Sequence, residues 1–247
     1  VKKEKMFPKI ITFCCNWCAY PGADLTGISH LKYPVNARII RVMCSGRVDP
    51  VLLLEAFISG ADGVMVMGCH PGECHYKHGN FEAERRIKLL QYLFNKYGLG
   101  AERLRIEWIA ASEGMKFAEV TADFVETVRE IGIMQEEAKE ILEIMKDTFY
   151  GERLRLALGA ANRALSNGVD GEKYDEALRR IAEEEMNKYR VLQTLRKEGE
   201  LCVRVVAEKL GLSLRETFNH FLDLKREGLI EEGAMGEDRY VIYRFAR

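Results

Sequence analysis

Over residues 1–132, short apolar runs rich in β-branched side chains alternate with longer amphipathic ones. The runs at residues 10–13, 37–43, 63–67 and 104–109 have strand length and strand composition, which predicts four strands. Between and after them, apolar positions recur at helical spacing. One helix begins at Pro50 and stops at Gly60, with Asp49 as its N-cap and the proline in the first turn, where a missing N–H costs nothing. A second runs over 81–97, with Ile87, Leu90, Leu93 and Phe94 on one face, and ends at Gly98. A third carries Phe117, Val120, Phe124, Val125 and Val128 and ends at Gly132. Residues 23–30 are expected to form a short helix between the first two strands.

Alternation of this kind, with right-handed crossovers, predicts an α/β fold: a small doubly wound parallel sheet of about four strands covered on both faces. Ligands of such sheets bind beyond the carboxyl ends of the strands. Beyond residue 132 the pattern changes to charged helices with no strands between them, over 135–150, 153–165 and 174–195. The end of the chain then reads as helix 187–196, the segment Leu201-Cys202-Val203, helix 205–210, a turn at Gly211-Leu212-Ser213 with Ser213 as N-cap, helix 214–227, and a strand pair at 230–231 and 239–244 around a turn at 233–238. That order predicts a winged helix-turn-helix closing an α-rich region. The expected organisation is therefore an α/β domain over 1–132, a helical linker region over 133–186 and a winged-helix-like domain over 187–247.

Composition narrows the function. The chain is 47% hydrophobic and 30% charged, as a folded globular protein should be, and its 37 Lys and Arg nearly cancel its 38 Asp and Glu. No net charge favours nucleic acid or an anionic membrane, so neither is expected as a partner. No apolar run approaches the ~20 residues of a membrane span, and residues 1–6 lead toward a strand rather than a signal-peptide core, which predicts a cytoplasmic protein.

Cysteine placement carries the chemistry. Six of seven cysteines, Cys14, Cys15, Cys18, Cys44, Cys69 and Cys74, fall in the first third, and only Cys202 lies elsewhere. In a reducing compartment this density indicates metal binding or redox chemistry rather than disulfides. Cys14/Cys15, Cys44 and Cys69 each follow at once after a predicted strand, so three strands deliver thiols to one rim. Gly46, Gly68 and Gly72 allow turns that aim N–H groups at sulfur. Scattered ligands, an excess of thiols and the lack of knuckle spacing for His70 and His75 fit an iron-sulfur cluster better than structural zinc. Cys15, Cys18, Cys44, Cys69 and Cys74 are the five candidates for four ligand positions, and spacing does not choose among them. Cys14, next to Cys15 on a strand, faces the other way and can equally be core. Cys202 is expected to be core. His70 and His75 can tune a cluster or be ordinary loop residues. Arg47 can offset cluster charge or be solvated, and Trp17 can shield the site or pack. No catalytic Ser-His-Asp order and no phosphate-binding glycine loop is present, so no catalytic site is expected.

The segments Phe13-Cys14-Cys15-Asn16-Trp17-Cys18-Ala19-Tyr20-Pro21-Gly22, Arg41-Val42-Met43-Cys44-Ser45-Gly46-Arg47, Gly68-Cys69-His70-Pro71-Gly72-Glu73-Cys74-His75-Tyr76 and Glu107-Trp108-Ile109-Ala110-Ala111-Ser112-Glu113-Gly114 closely resemble the delta subunit of methyl-viologen-reducing hydrogenase over residues 8–132. The resemblance implies a 2Fe-2S electron-transfer subunit with Cys15, Cys18, Cys44, Cys69 and Cys74 as the cluster cysteines. It implies as partners a nickel-iron hydrogenase or formate dehydrogenase as donor and the flavin-containing subunit of heterodisulfide reductase as acceptor. Family members end near residue 132–140, and this chain continues for more than a hundred residues. Two other readings stand beside it: an iron-sulfur redox-sensing regulator that binds DNA through the winged helix, and a zinc-stabilised scaffold.

Overall fold

The computed structural model describes residues 7–235 and 240–246. The charged start at residues 1–6, and residues 236–239 with Arg239 of the expected last strand, lie outside the described residues. Strands β1 (Ile10–Cys15), β2 (Ala37–Val42), β3 (Gly63–Gly68) and β4 (Leu104–Trp108) form one sheet in the order β2-β1-β3-β4, every pair parallel. The chain starts in the middle, moves outward to β2, then crosses to β3 on the other side of β1. The strand order therefore reverses between β1 and β3, which opens a crevice at their carboxyl ends.

Helices cover both faces. Along the strands, Phe13, Val64 and Val66 point to the layer of α2 (Pro50–Ile58) and α3 (Gly79–Lys96). Ile10, Cys14, Met65 and Met67 point to the layer of α1 (Ala19–Ile28) and α4 (Gly114–Ile131). This is the two-residue alternation of a strand buried on both sides. Asp49 caps α2 by accepting a hydrogen bond from the Val51 N–H, with Pro50 in the first turn as expected. Helix α1 begins at Ala19, four positions before the expected start at 23. Pro21 does not prevent this, because it falls in the first turn, whose N–H groups have no intrahelical acceptor.

The helical region consists of α5 (Ala138–Tyr150), α6 (Glu152–Ser166) and α7 (Gly171–Glu198). The helix expected over 187–196 is the last part of α7, which runs unbroken from Gly171. Leu142, Met145, Phe149, Leu154 and Leu192 join the same apolar core as the α2/α3 layer. Ion pairs line that contact: Arg85 with Asp175 at 2.9 Å, Lys146 with Glu55 at 3.1 Å and Arg155 with Asp49 at 3.1 Å.

The end of the chain forms a winged helix-turn-helix. It comprises β5 (Leu201–Cys202), α8 (Val203–Leu210), α9 (Leu214–Arg226), β6 (Ile230–Met235) and β7 (Val241–Phe245), with the antiparallel sheet ordered β5-β7-β6. Gly211 takes φ of +67° in the turn, and Ser213 caps α9 by accepting from the Glu216 N–H. Two boundaries differ from expectation. Leu201-Cys202 pairs with β7 as a short strand, and residues 233–235, expected in the turn, extend β6 because Met235 still pairs with Val241. Among the described residues, no helix is long and apolar enough to cross a membrane.

Phe94 is fully buried and packs on Phe57 with ring centroids 5.0 Å apart, at the centre of the α2/α3 layer. Phe94→Ala is expected to destabilise the chain by about 3–5 kcal/mol, measured as a shift in the urea-unfolding midpoint; a change under about 1 kcal/mol would contradict this placement of the core.

Candidate metal centre

Each thiol at the rim is placed by the element before it. Cys15 ends β1, and Cys18 immediately precedes α1. Cys44 lies just beyond β2 and leads into a 3-10 turn over Ser45–Arg47. Cys69 follows β3 directly, and Cys74 lies in the loop from β3 to α3. The sulfurs of Cys15, Cys18 and Cys69 all lie within 4.8 Å of one another. Cys15 and Cys69 Sγ are 3.9 Å apart, and Cys44 and Cys74 Sγ are 4.0 Å apart. Cys44 also lies close enough to Cys15 for the two thiols to perturb each other's acidity, which sets the pair beside the trio. All five are buried free thiols, and their sulfurs are far too distant for disulfides.

The electrostatics of the group are those of a ligand set. Hydrogen bonds from the Cys15 and Cys18 side chains hold the Cys69 thiol down at about 3. Those from Cys18 and Cys44 bring Cys15 down to about 7. Cys18 is pushed far up by donating to Cys15 and Cys69, and Cys44 by donating to Cys15. Backbone N–H groups of Trp17, Gly46 and His75 point at the sulfurs of Cys15, Cys44 and Cys69 respectively. Of the three glycines expected to turn N–H groups inward, Gly46 supplies one of these donors. Cys14 is different: it is fully buried among Ile10, Met65, Met67 and Phe117 on the other face, and burial raises its thiol to about 12. Cys202 is half-buried in the winged helix, away from this rim.

Neighbouring residues lock the loops. Asn80 is buried and donates to the carbonyls of Cys69 at 3.2 Å and His70 at 2.8 Å, while its Oδ1 accepts from the Phe81 N–H. His70 Nε2 lies 2.8 Å from Glu113 Oε2, which also accepts from the Ala110 N–H at 2.7 Å. Those two contacts, the Ala110 N–H first, hold the Glu113 carboxyl below its usual range. Arg41 donates to Asn16 Oδ1 at 2.6 Å and so steadies the loop between Cys15 and Cys18. Trp17 stacks on His75 at 3.9 Å and donates to the Tyr76 hydroxyl. Trp17 remains 43% exposed, so it forms part of the outer wall rather than core. Together with Cys18, Cys69, His70, Glu73, His75, Ala110 and Ala111 it lines a cleft of about 240 Å³. Arg47 is exposed, in keeping with a solvated side chain.

Sequence reasoning missed Asn80, the Glu113 contact and Gly79. A Cβ at Gly79 would fall 2.4 Å from Cys44 Sγ and 3.3 Å from Cys74 Sγ. The Gly79-Asn80 pair at the start of α3 was the available signal, since a glycine followed by a residue that bonds its own neighbouring backbone marks a tight entry.

A profile for "methyl-viologen-reducing hydrogenase, delta subunit" matches residues 10–132. An iron-sulfur subunit of the F420-non-reducing hydrogenase of Archaeoglobus profundus is 50% identical over 129 residues, which is 52% of this chain and 94% of that protein. This chain belongs to the methyl-viologen-reducing hydrogenase delta subunit family. Its match extends to the iron-sulfur subunit of the vhu F420-non-reducing hydrogenase of Methanocaldococcus jannaschii, 39% identical over 51% of this chain and 95% of that protein. One subunit of the ferredoxin/F(420)H(2)-dependent CoB-CoM heterodisulfide reductase of Methanosarcina acetivorans is 50% identical over 54% of this chain but only 17% of its own length. There the module is part of a much longer polypeptide. A winged helix-turn-helix DNA-binding profile matches residues 187–231.

The residues fit an iron-sulfur cluster. The donor set is all thiol, it is buried, backbone N–H groups face it, and the buried Ser45 hydroxyl beside it has no partner among the described residues. Gly79→Ala is expected to leave helical content by circular dichroism unchanged while iron content after anaerobic purification falls to a small fraction of the parent's. Full iron in this variant would show that the Cys44 contact does not matter.

Proposed function

We propose that this chain is a 2Fe-2S electron-transfer subunit that relays electrons from a hydrogenase, a formate dehydrogenase or another donor to the flavin-containing subunit of a heterodisulfide reductase. The observation that carries the reading is the convergence of the Cys15, Cys18 and Cys69 sulfurs, with Cys44 and Cys74 alongside, in a family whose members include hydrogenase iron-sulfur subunits. The module's recurrence inside a heterodisulfide reductase polypeptide supports the acceptor side of the relay.

When bound, the cluster supplies a centre that takes up and returns one electron. The chain's own residues do the rest. Cys15, Cys18, Cys44, Cys69 and Cys74 provide five thiols for four ligand positions. Trp17, His75 and Tyr76 form a thin aromatic wall beside the thiols, and the cleft that it borders leaves Cys18 and Cys69 close to the surface, where a partner's redox centre can approach. Asn80 and the His70–Glu113 pair hold the Cys69 loop still. A fixed geometry suits a relay, because little has to rearrange when charge arrives.

The same reading divides the work along the chain: residues 1–132 hold the cluster, 133–186 form a helical connection, and 187–247 present a winged-helix docking surface. The winged-helix profile also motivates a second reading, a regulator that binds DNA. The surface of α9 favours protein docking. Its exposed side includes Leu214 and Phe218, and two of its three cations, Lys225 and Arg226, are paired with Glu232 and Asp223, which leaves Arg215 as the one exposed cation without an ion pair among the described residues of this helix.

Anaerobic purification should yield a brown protein with iron and acid-labile sulfide near two of each per chain and a paramagnetic signal on reduction. Replacing the five cysteines by Ser singly should abolish the cluster at four positions, and Cys14→Ser should retain it. A colourless, zinc-loaded protein, or loss of iron at only two of the five positions, would contradict the proposal. Duplex DNA should bind no tighter than the non-specific range of about 10⁻⁴–10⁻⁶ M at physiological salt; tight, sequence-selective binding would favour the regulator.

A further inference from the structure

Ser45 follows Cys44 and is 1% exposed, yet its hydroxyl has no hydrogen-bond partner among the described residues. An orphaned buried hydroxyl costs about 1–3 kcal/mol, so a donor left bare at this point calls for an acceptor that the polypeptide does not supply. Its location says which acceptor. A Cβ built on Gly68 would fall 2.7 Å from Ser45 Oγ and 3.1 Å from Ser45 Cβ, so the serine side chain occupies the space that a side chain at 68 would take. The parallel register pairs Cys14 with Met67, which sets Cys15 beside Gly68 on the next step. By strand alternation Cys15 and Gly68 face the same side of the sheet as Phe13 and Val66. The bare hydroxyl thus stands beside the first ligand strand, next to Cys44 in the chain and against the glycine that precedes Cys69.

We infer that the Ser45 hydroxyl donates a hydrogen bond to a sulfur of the bound cluster and thereby sets its reduction potential; the inference rests on the iron-sulfur reading above. The physical ground is that the reduced cluster carries one more negative charge than the oxidised one. A hydrogen-bond donor aimed at sulfur favours the reduced form and raises the potential. No bond is made or broken at serine, and its proton stays on oxygen. Gly68 is the enabling residue, since any side chain there would evict the hydroxyl.

The test is an anaerobic redox titration of the full-length, cluster-loaded chain followed by electron paramagnetic resonance, for the parent, Ser45→Ala, Ser45→Gly and Thr12→Ala. Thr12 is the matched control: its hydroxyl is also buried and unpartnered, but its position on β1 alternates with Cys15 and faces the other layer. Both Ser45 variants should keep parental iron and sulfide. At a fixed ambient potential their ratio of reduced to oxidised cluster should fall about tenfold, equivalent to about 59 mV for one electron, while Thr12→Ala stays at the parental value. Two Ser45 variants are used so that a folding failure in one leaves the other to decide. Unmoved potentials in fully loaded Ser45 variants, or an equal shift in Thr12→Ala, would overturn the inference alone. Loss of iron from folded Ser45 variants would also overturn it, by making serine a structural requirement of the site. A parent chain that binds no cluster would sink both this inference and the reading beneath it.

Discussion

Five thiols buried against one another are the constraint around which the α/β domain is organised. Buried sulfurs 3.9–4.0 Å apart cannot all be deprotonated without a cation, because like charges at that spacing repel strongly where the local dielectric is reduced. They resolve this in the polypeptide alone by sharing protons, with Cys18 and Cys44 donating and Cys69 and Cys15 held as the acidic members. A bound metal centre would supply positive charge in place of those shared protons. Everything near the rim then follows as support: N–H groups aimed at sulfur, a glycine at 79 where a side chain would collide with sulfur, and an asparagine that pins the loop.

The sheet makes the convergence possible. Because strand order reverses between β1 and β3, neighbouring strands send their following loops to opposite faces, and the space between them stays open at the carboxyl end. Cys15 and Cys69 flank that opening, and Cys44 reaches it from the outer strand through the tight turn at Ser45–Arg47. The helical region contributes from beneath. Arg155 pairs with Asp49, the N-cap of α2, and Arg86 donates to the Gly46 carbonyl at 2.8 Å, so the Cys44 loop is held from both the α3 and α6 sides. Residues 133–247 are thus packed against the scaffold of the site as well as carrying the winged helix.

Much of this was legible in the residues. The four strands were marked by runs of β-branched and apolar side chains, and α2 by an Asp-Pro start, because burial on both faces and capping chemistry leave local traces. The delivery of Cys15, Cys44 and Cys69 to one rim followed from topology alone, and so did the opposite orientation of Cys14. What local pattern could not reveal was contact across the rim. The contact of Gly79 with the Cys44 sulfur and the lack of a partner for the Ser45 hydroxyl both show only once their neighbours are placed. The early start of α1 and the length of β6 also differ from expectation: a proline in the first turn leaves the helix free to begin at Ala19, and pairing with β7 carries β6 through Gly233 to Met235.

Iron held jointly by residues from three strands is what the rest of the site requires. Anomalous diffraction from crystals of the anaerobically prepared chain, recorded on either side of the iron absorption edge, tests it most directly. The account predicts iron peaks at bonding distance from the sulfurs of Cys15, Cys18 and Cys69, with the fourth ligand supplied by Cys44 or Cys74. Iron bound elsewhere, or a peak at this rim that appears only at the zinc edge, would contradict it.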